Sequence, residues 1–143
     1  MKSKILVFLQ FFIIFLMLLS FLEPTHYLWS GLAICIAGVI IGLVAINTHE
    51  RGNFNIRPDI KEHCELVTHG IYAYIRHPMY LSVLTMMFGV MLIYLSWYEI
   101  ILYIGLLVVM LTKLFYEESL WQCHTVAYEE YKNRTKRLLP YIF

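Results

Sequence analysis

Charge is scarce in this sequence. Only 15% of its 143 residues are Asp, Glu, Lys or Arg, whereas 60% are hydrophobic, and the formal net charge is +1. Soluble domains carry about a quarter charged residues, so this composition excludes an ordinary soluble fold and points to a membrane protein. It equally excludes a disordered chain, and the lack of a basic excess excludes a nucleic-acid binder. Cysteine is nearly missing as well: Cys35, Cys64 and Cys123 are odd in number, scattered and without a CxxC. That excludes a disulfide scaffold. The three read as free thiols, one in lipid and two facing a reducing cytoplasm. The 6 histidines lack any HxxxH or HExxH spacing, so no metal site is expected. There is no internal repeat and no low-complexity tract, and the length accommodates one domain, residues 1–143.

What the chain does have is apolar runs. A hydrocarbon core about 30 Å thick takes roughly 20 residues of helix. Four runs approach that length: 5–22, interrupted only by Gln10 and Ser20, then 27–46, 79–95 and 100–116. The expected fold is all-α, an integral membrane bundle of four transmembrane helices. A cytoplasmic re-entrant or amphipathic segment is expected at 47–78, and an amphipathic C-terminal helix within 117–143. Placing the N-terminus inside puts all 11 Lys and Arg in residues 1–4, 47–78 and 113–143. The outer turns, 23–26 and 96–99, then hold only acidic formal charge, the positive-inside pattern of a multi-pass protein with both termini cytoplasmic. Tyr27, Trp29, Trp97 and Tyr98 fall at the outer helix ends, where an aromatic belt belongs. Lys113, near the inner end of the fourth run, is expected to snorkel to the interface. The first run reads as an anchor and not a cleaved signal, because no small-x-small site precedes Glu23-Pro24. Gly38-x-x-x-Gly42 offers a face for close helix contact, inside the bundle or between copies.

Polar residues concentrate in two places. The first is Leu66-Val67-Thr68-His69-Gly70-Ile71-Tyr72-Ala73-Tyr74-Ile75-Arg76-His77-Pro78-Met79-Tyr80. Pro78 suits the first turn of a helix, and His77, preceding a proline, is pushed out of the α region. The free amides of that turn, with Arg76 beside them, make an anion site for a carboxylate or phosphate. The competing reading is an Arg-His pair that merely binds lipid head groups. The second place is Lys113-Leu-Phe-Tyr-Glu117-Glu118-Ser-Leu120. Two adjacent carboxylates at a membrane helix end repel each other, so something cationic or rich in hydroxyls should face them. Lys113 lies one turn before Glu117 and is a candidate partner, which leaves Glu118 without one. A solvated helix exit is the plainer alternative. Tyr72, Tyr74 and Tyr80 offer stacking for a planar ring or a cation. One ligand matches both places: S-adenosylmethionine, with its carboxylate, amine, sulfonium, ribose diol and adenine.

At these residues the sequence resembles the isoprenylcysteine carboxyl methyltransferase family and its phospholipid methyltransferase relatives. The shared elements are Gly52-Asn53-Phe54, Leu66-Val67-Thr68-x-Gly70-x-Tyr72, Arg76-His77-Pro78-x-Tyr80, Glu117-Glu118-x-Leu120, and Tyr128-x-x-Tyr131 with Arg137-Leu-Leu-Pro140. The resemblance implies a helical membrane enzyme that binds S-adenosylmethionine in a cytoplasmic pocket under the C-terminal segment and releases S-adenosylhomocysteine. Carried over by position, it implies cofactor contacts from Glu65, Leu66, Val67, Tyr72, His77, Pro78, Met79, Tyr80, Glu117 and Glu118. Arg76, Lys113 and Glu118 are expected to carry the reaction, and for Lys113 the resemblance implies a basic residue serving the substrate. Three departures stand out. Lys113 replaces an arginine, Ser82 replaces a glycine, and Cys123-His124 replaces Phe-Gly.

The implied reaction is in-line methyl transfer to a lipophilic acceptor arriving from the bilayer, favoured by alignment and by exclusion of water. A carboxylate or thiolate acceptor needs no base, whereas an amine needs one, with Glu118 or His77 the candidates. Membrane lipids are the expected surroundings, and a homodimer is expected to help close the pocket. Two alternatives stand beside this reading. One is an NADPH-dependent sterol or steroid reductase, which shares the Arg-His-Pro-x-Tyr element; the other is a non-catalytic membrane adaptor. No GxGxxG follows a strand, so a soluble Rossmann-type methyltransferase is excluded.

Overall fold

The computed structural model describes residues 2–19, 23–48, 66–124 and 127–139. Among them the chain is helical, with no strand beyond one isolated bridge, Ile75 to Lys136. The elements are α1 (Lys2–Leu18), α2 (Leu28–Thr48), a 3-10 turn (Gly70–Ala73), α3 (Pro78–Ile93), α4 (Trp97–His124) and α5 (Ala127–Arg134). Two stretches, Leu28–Thr48 and Trp97–Cys123, are long and apolar enough to cross a membrane. The other two apolar runs form shorter helices, 17 residues in α1 and 16 in α3. Among the described residues, two of the four expected spans thus reach membrane-spanning length and two fall short of it. Most of the polar segment expected at 47–78, including Gly52-Asn53-Phe54 and Glu65, lies outside the described residues.

Helix ends follow local chemistry. Pro78 occupies the first turn of α3, and His77 before it is non-helical, with φ −123° and ψ 56°. Gly70 opens the 3-10 turn at φ +58°, where a side chain would also meet Thr48 Cγ2 at 2.8 Å. At the start of α4, Ser96 and Glu99 have the spacing of a capping box, and Ser96 Oγ accepts the Glu99 N–H at 3.2 Å. Expected on an outer turn, Glu99 is instead fully buried in the first turn of α4, where the helix dipole favours a carboxylate.

In lipid, apolar surface alone does not drive helices together, because the tails are as apolar as leucine. Close approach must do it. The α2–α3 seam shows how. Gly31, Cys35, Gly38 and Gly42 of α2 face Ile93, Gly89, Met86 and Ser82 of α3 in antiparallel register. A Cβ on Gly38 would lie 2.7 Å from the Met86 backbone nitrogen, and one on Gly89 would lie 2.6 Å from the Gly31 carbonyl oxygen. Ser82 Oγ donates to the Gly38 carbonyl at 2.7 Å. The Gly38-x-x-x-Gly42 face is thus used inside the chain. Helix α1 packs along α4, with Met17, Leu106, Met110 and Leu114 in a buried cluster shared with Leu84, Met87 and Met91 of α3. Phe8, Phe11, Phe12 and Phe15 of α1 and Ile36, Val39, Ile40 and Leu43 of α2 stay exposed, as lipid-facing side chains should. Trp29 and Trp97 mark one end of the bundle, where Thr25 N–H donates to the Ile93 carbonyl at 2.8 Å. Apart from Glu99, the clustered charged residues of 66–80, the end of α4 and the tail occupy the other end.

Candidate active site at the polar end of the helices

Three segments meet at this end: residues 66–80, the last turns of α4, and the tail 131–138. The tail is held by backbone hydrogen bonds. Arg76 N–H donates to the Lys136 carbonyl at 2.7 Å, His77 N–H to that of Arg137 at 3.0 Å, and Lys136 N–H to that of Tyr74 at 3.1 Å. Tyr131 OH donates to the Tyr72 carbonyl at 2.8 Å. Trp121, Tyr128 and Tyr131 form a buried aromatic cluster with Leu66 against it. Burial raises the phenols of Tyr72, Tyr128 and Tyr131 above the ordinary tyrosine range, and Glu117 adds to the effect at Tyr72. They therefore remain protonated, and Tyr131 can keep donating to the Tyr72 carbonyl.

The two adjacent carboxylates of α4 have different fates. Glu118 is buried and doubly paired: Oε1 accepts Arg76 Nε at 2.9 Å and Oε2 accepts Arg137 Nε at 3.0 Å. Arg76 Nη1 reaches on to the carbonyls of Lys132 (3.1 Å) and Thr135 and to Thr135 Oγ1 (3.2 Å), closing the C-terminal end of α5. Glu117 is less enclosed. Its Oε2 accepts the Tyr80 hydroxyl at 2.6 Å and lies 3.9 Å from His77 Nδ1. The His77 ring stacks on Tyr80 with centroids 5.2 Å apart, and its Nε2 is buried 3.6 Å from Glu118, with no hydrogen-bond partner among the described residues. Lys113 Nζ sits 5.2 Å from the Tyr80 ring centroid and donates to Gln10 Oε1 of α1.

The family model for phospholipid methyltransferases matches residues 26–124. The chain belongs to that family. No curated protein and no solved structure gives a significant match. Family membership makes the chain a methyltransferase, and the two helices of spanning length agree with a membrane location. The region shared with phospholipid methyltransferases runs from just before α2 to the end of α4. It contains Arg76 to Tyr80, Lys113 and the acidic pair, and leaves out α1 and the tail.

Set against the sequence expectations, this phospholipid methyltransferase family protein brings most of the named residues together. Tyr72, His77, Pro78 and Glu118 are buried at the polar end, with Met79, Tyr80 and Glu117 partly so. Leu66 and Val67 are half-buried beside them, and Glu65 lies outside the described residues. Tyr74 is 64% exposed and takes no part in stacking at the site. Two expectations need correction. Glu118 does not lack a partner, because the cations that face it are the chain's own Arg76 and Arg137. Lys113 does not snorkel; it is 1% exposed, held between α1 and α3. The three departures are also placed. Ser82 is a seam residue, Cys123 is exposed, and Lys113 keeps the positive charge without arginine's fork. Sequence reasoning missed Gln10 as a partner, taking it for a break in an apolar run. The signal was present, since a lone amide in a membrane helix needs one.

Proposed function

We propose that the protein is an S-adenosylmethionine-dependent methyltransferase crossing the membrane four times with both termini cytoplasmic. Its acceptor is lipophilic, a carboxylate, thiol or amine entering from the bilayer. The observation that carries this reading is the split acidic pair inside the family-matched stretch. One carboxylate is consumed by two guanidinium groups, and its neighbour is left partly open beside Tyr80 and His77. Helices of 17 and 16 residues rise about 25 Å, short of a hydrocarbon core of about 30 Å by little enough for flanking residues to bridge.

The residues present fit the methyl donor. Glu117 suits a cationic or hydroxyl-bearing group, the rings of Tyr72 and Tyr80 suit a planar or cationic one, and Leu66 and Val67 line the approach. When bound, S-adenosylmethionine supplies an electrophilic methyl group. The chain's own work is placement. Arg76, Glu118 and Arg137 fix α3, α4 and the tail against one another, and the aromatic cluster under the tail keeps water out. Glu118, already accepting from two guanidiniums, is unsuited to take a proton. For an amine acceptor that task falls to His77 through its buried Nε2.

Calorimetry on the detergent-purified full chain tests the reading. S-adenosylhomocysteine should bind and NADPH should give no heat. Binding of NADPH alone would establish the reductase alternative in its place. Methyl transfer from the labelled donor into a membrane lipid extract, with the product identified, then names the acceptor.

A further inference from the structure

The tail after α5 displays a cation with no acid to meet. On α5 itself the charges balance: Lys132 Nζ lies 3.8 Å from Glu129 and Arg134 Nη2 lies 3.5 Å from Glu130, each about one turn away. No acidic residue follows Glu130 in the sequence. Arg137 turns inward to Glu118, whereas Lys136 is exposed and makes no ion pair among the described residues. Its backbone is nevertheless fixed, because its N–H donates to the Tyr74 carbonyl and its own carbonyl accepts from Arg76. The charge is therefore shown at a set place.

The surroundings say what meets it. Ile104, Val108 and Phe115 are exposed and share one face of α4 at helical spacing. Farther along that face come Ser119 and Gln122, exposed and polar, so Phe115 is the last ring of a lipid-facing stripe. The Arg137 guanidinium sits 5.1 Å from the centroid of that ring. A cation seated there lies at the level where hydrocarbon gives way to head groups. Tyr74, bonded through its carbonyl to Lys136, and Leu139 just beyond are both exposed and unused by the site. An ammonium, a phenol and apolar side chains displayed together suit a lipid interface. Water or a free anion would gain nothing from the exposed Leu139 and Phe115.

We propose that residues 136–139 dock on anionic phospholipid, with Lys136 meeting a lipid phosphate that no choline neutralises, and that this contact holds the tail down on the segment before α3. Lipid charge then sets how tightly the tail closes over the polar end. The proposal is independent of the methyl donor and rests only on that end of the helices lying at a membrane surface.

Hydrogen exchange of the Lys136 amide in the full chain, reconstituted in lipid nanodiscs and read by mass spectrometry, tests this. That amide exchanges only when the tail lifts from Tyr74. Exchange should slow about fivefold from phosphatidylcholine discs to discs that also contain phosphatidylglycerol, the worth of one basic side chain at an anionic surface. Added salt should shrink the difference. Lys136→Gln should exchange equally in both discs, and Lys136→Arg should keep the native difference. Equal exchange of the native protein in the two discs overturns the proposal, as does a difference that persists in Lys136→Gln. Inorganic phosphate added to phosphatidylcholine discs distinguishes the source of the anion: slowing that matches phosphatidylglycerol would assign the contact to free phosphate and overturn lipid docking. A native chain that does not stay in the discs overturns the membrane reading beneath the proposal. Failure to bind S-adenosylhomocysteine sinks only the enzyme reading and leaves the exchange result standing.

Discussion

The α2–α3 seam and the polar end of α4 hold the same helix, α3, by opposite means. Along the seam there is no formal charge, and helices touch through glycines, a serine and a cysteine that let backbones nearly meet. At the polar end long side chains cross between segments, and a single carboxylate, Glu118, gathers two guanidiniums. The seam works by what is missing from each side chain, and the polar end by complementary charge. The difference teaches where tolerance lies. A seam that depends on absent atoms is damaged by adding one, whereas a charge cluster is damaged by subtraction.

The largest effect should come from subtracting the centre of that cluster. Glu118→Ala leaves Arg76 and Arg137 without their anion, one of them buried. Breaking a buried ion pair by removing one partner costs about 3–5 kcal/mol. Thermal unfolding in detergent should show a large drop in Tm together with loss of S-adenosylhomocysteine binding. A stable Glu118→Ala protein would mean that the tail is held by its backbone bonds alone. The next effect is an addition to the seam. Gly89→Ala places a methyl 2.6 Å from both the Gly31 carbonyl oxygen and Cys35 Sγ, so the helices must part, at about 1–3 kcal/mol. Gly105→Ala is the control, because its added carbon would meet Ile13 at an ordinary 3.8 Å and should leave Tm unchanged. Equal Tm values for the two alanine variants would refute the description of the seam.

A subtler break separates the two acidic neighbours. Glu117→Gln should leave Tm nearly unchanged, because the side chain is only partly buried and the amide can still accept from Tyr80. Calorimetry should nevertheless register a drop of about tenfold in affinity for S-adenosylhomocysteine, the value of one charged hydrogen bond. If Glu117→Gln lost stability as Glu118→Ala does, the division of labour proposed for the pair would be wrong.

Much of the seam and little of the cluster was legible in the sequence. The apolar runs mark α1 to α3 and the start of α4 to within a few residues, since hydropathy is a local property and lipid enforces it. Pro78 and Gly70 mark ends for equally local reasons of backbone geometry. Beyond its apolar run at 100–116, α4 continues through the acidic pair to His124, as the interleaved apolar and charged residues after Lys113 suggest and because Glu, Leu and Gln are good helix formers. The acidic pair was visible as an anomaly needing cations. Its cations were not, because Arg76 stands 42 residues before Glu118 and Arg137 stands 19 after it. Nothing periodic links those positions. Gln10 and Lys113 are 103 residues apart and were legible only as two isolated oddities.

The smallest expected effect concerns the edge of the cluster, where the tail is pinned to the segment before α3. Tyr131→Phe removes one hydrogen bond, Tyr131 OH to the Tyr72 carbonyl, worth about 1 kcal/mol. Its signature is in the pH dependence. Burial raises the Tyr131 phenol in the folded state, so the contribution is fully present below the unfolded tyrosine value of about 10 and is lost as pH rises beyond it. The unfolded chain releases that proton first, so the Tm of the native protein should fall with alkaline pH more steeply than that of Tyr131→Phe. Tyr72 and Tyr128, raised by burial in the same way, remain in both proteins and leave a shared slope. Parallel curves would place the Tyr131 hydroxyl in water and detach the tail from the cluster that α4 organises.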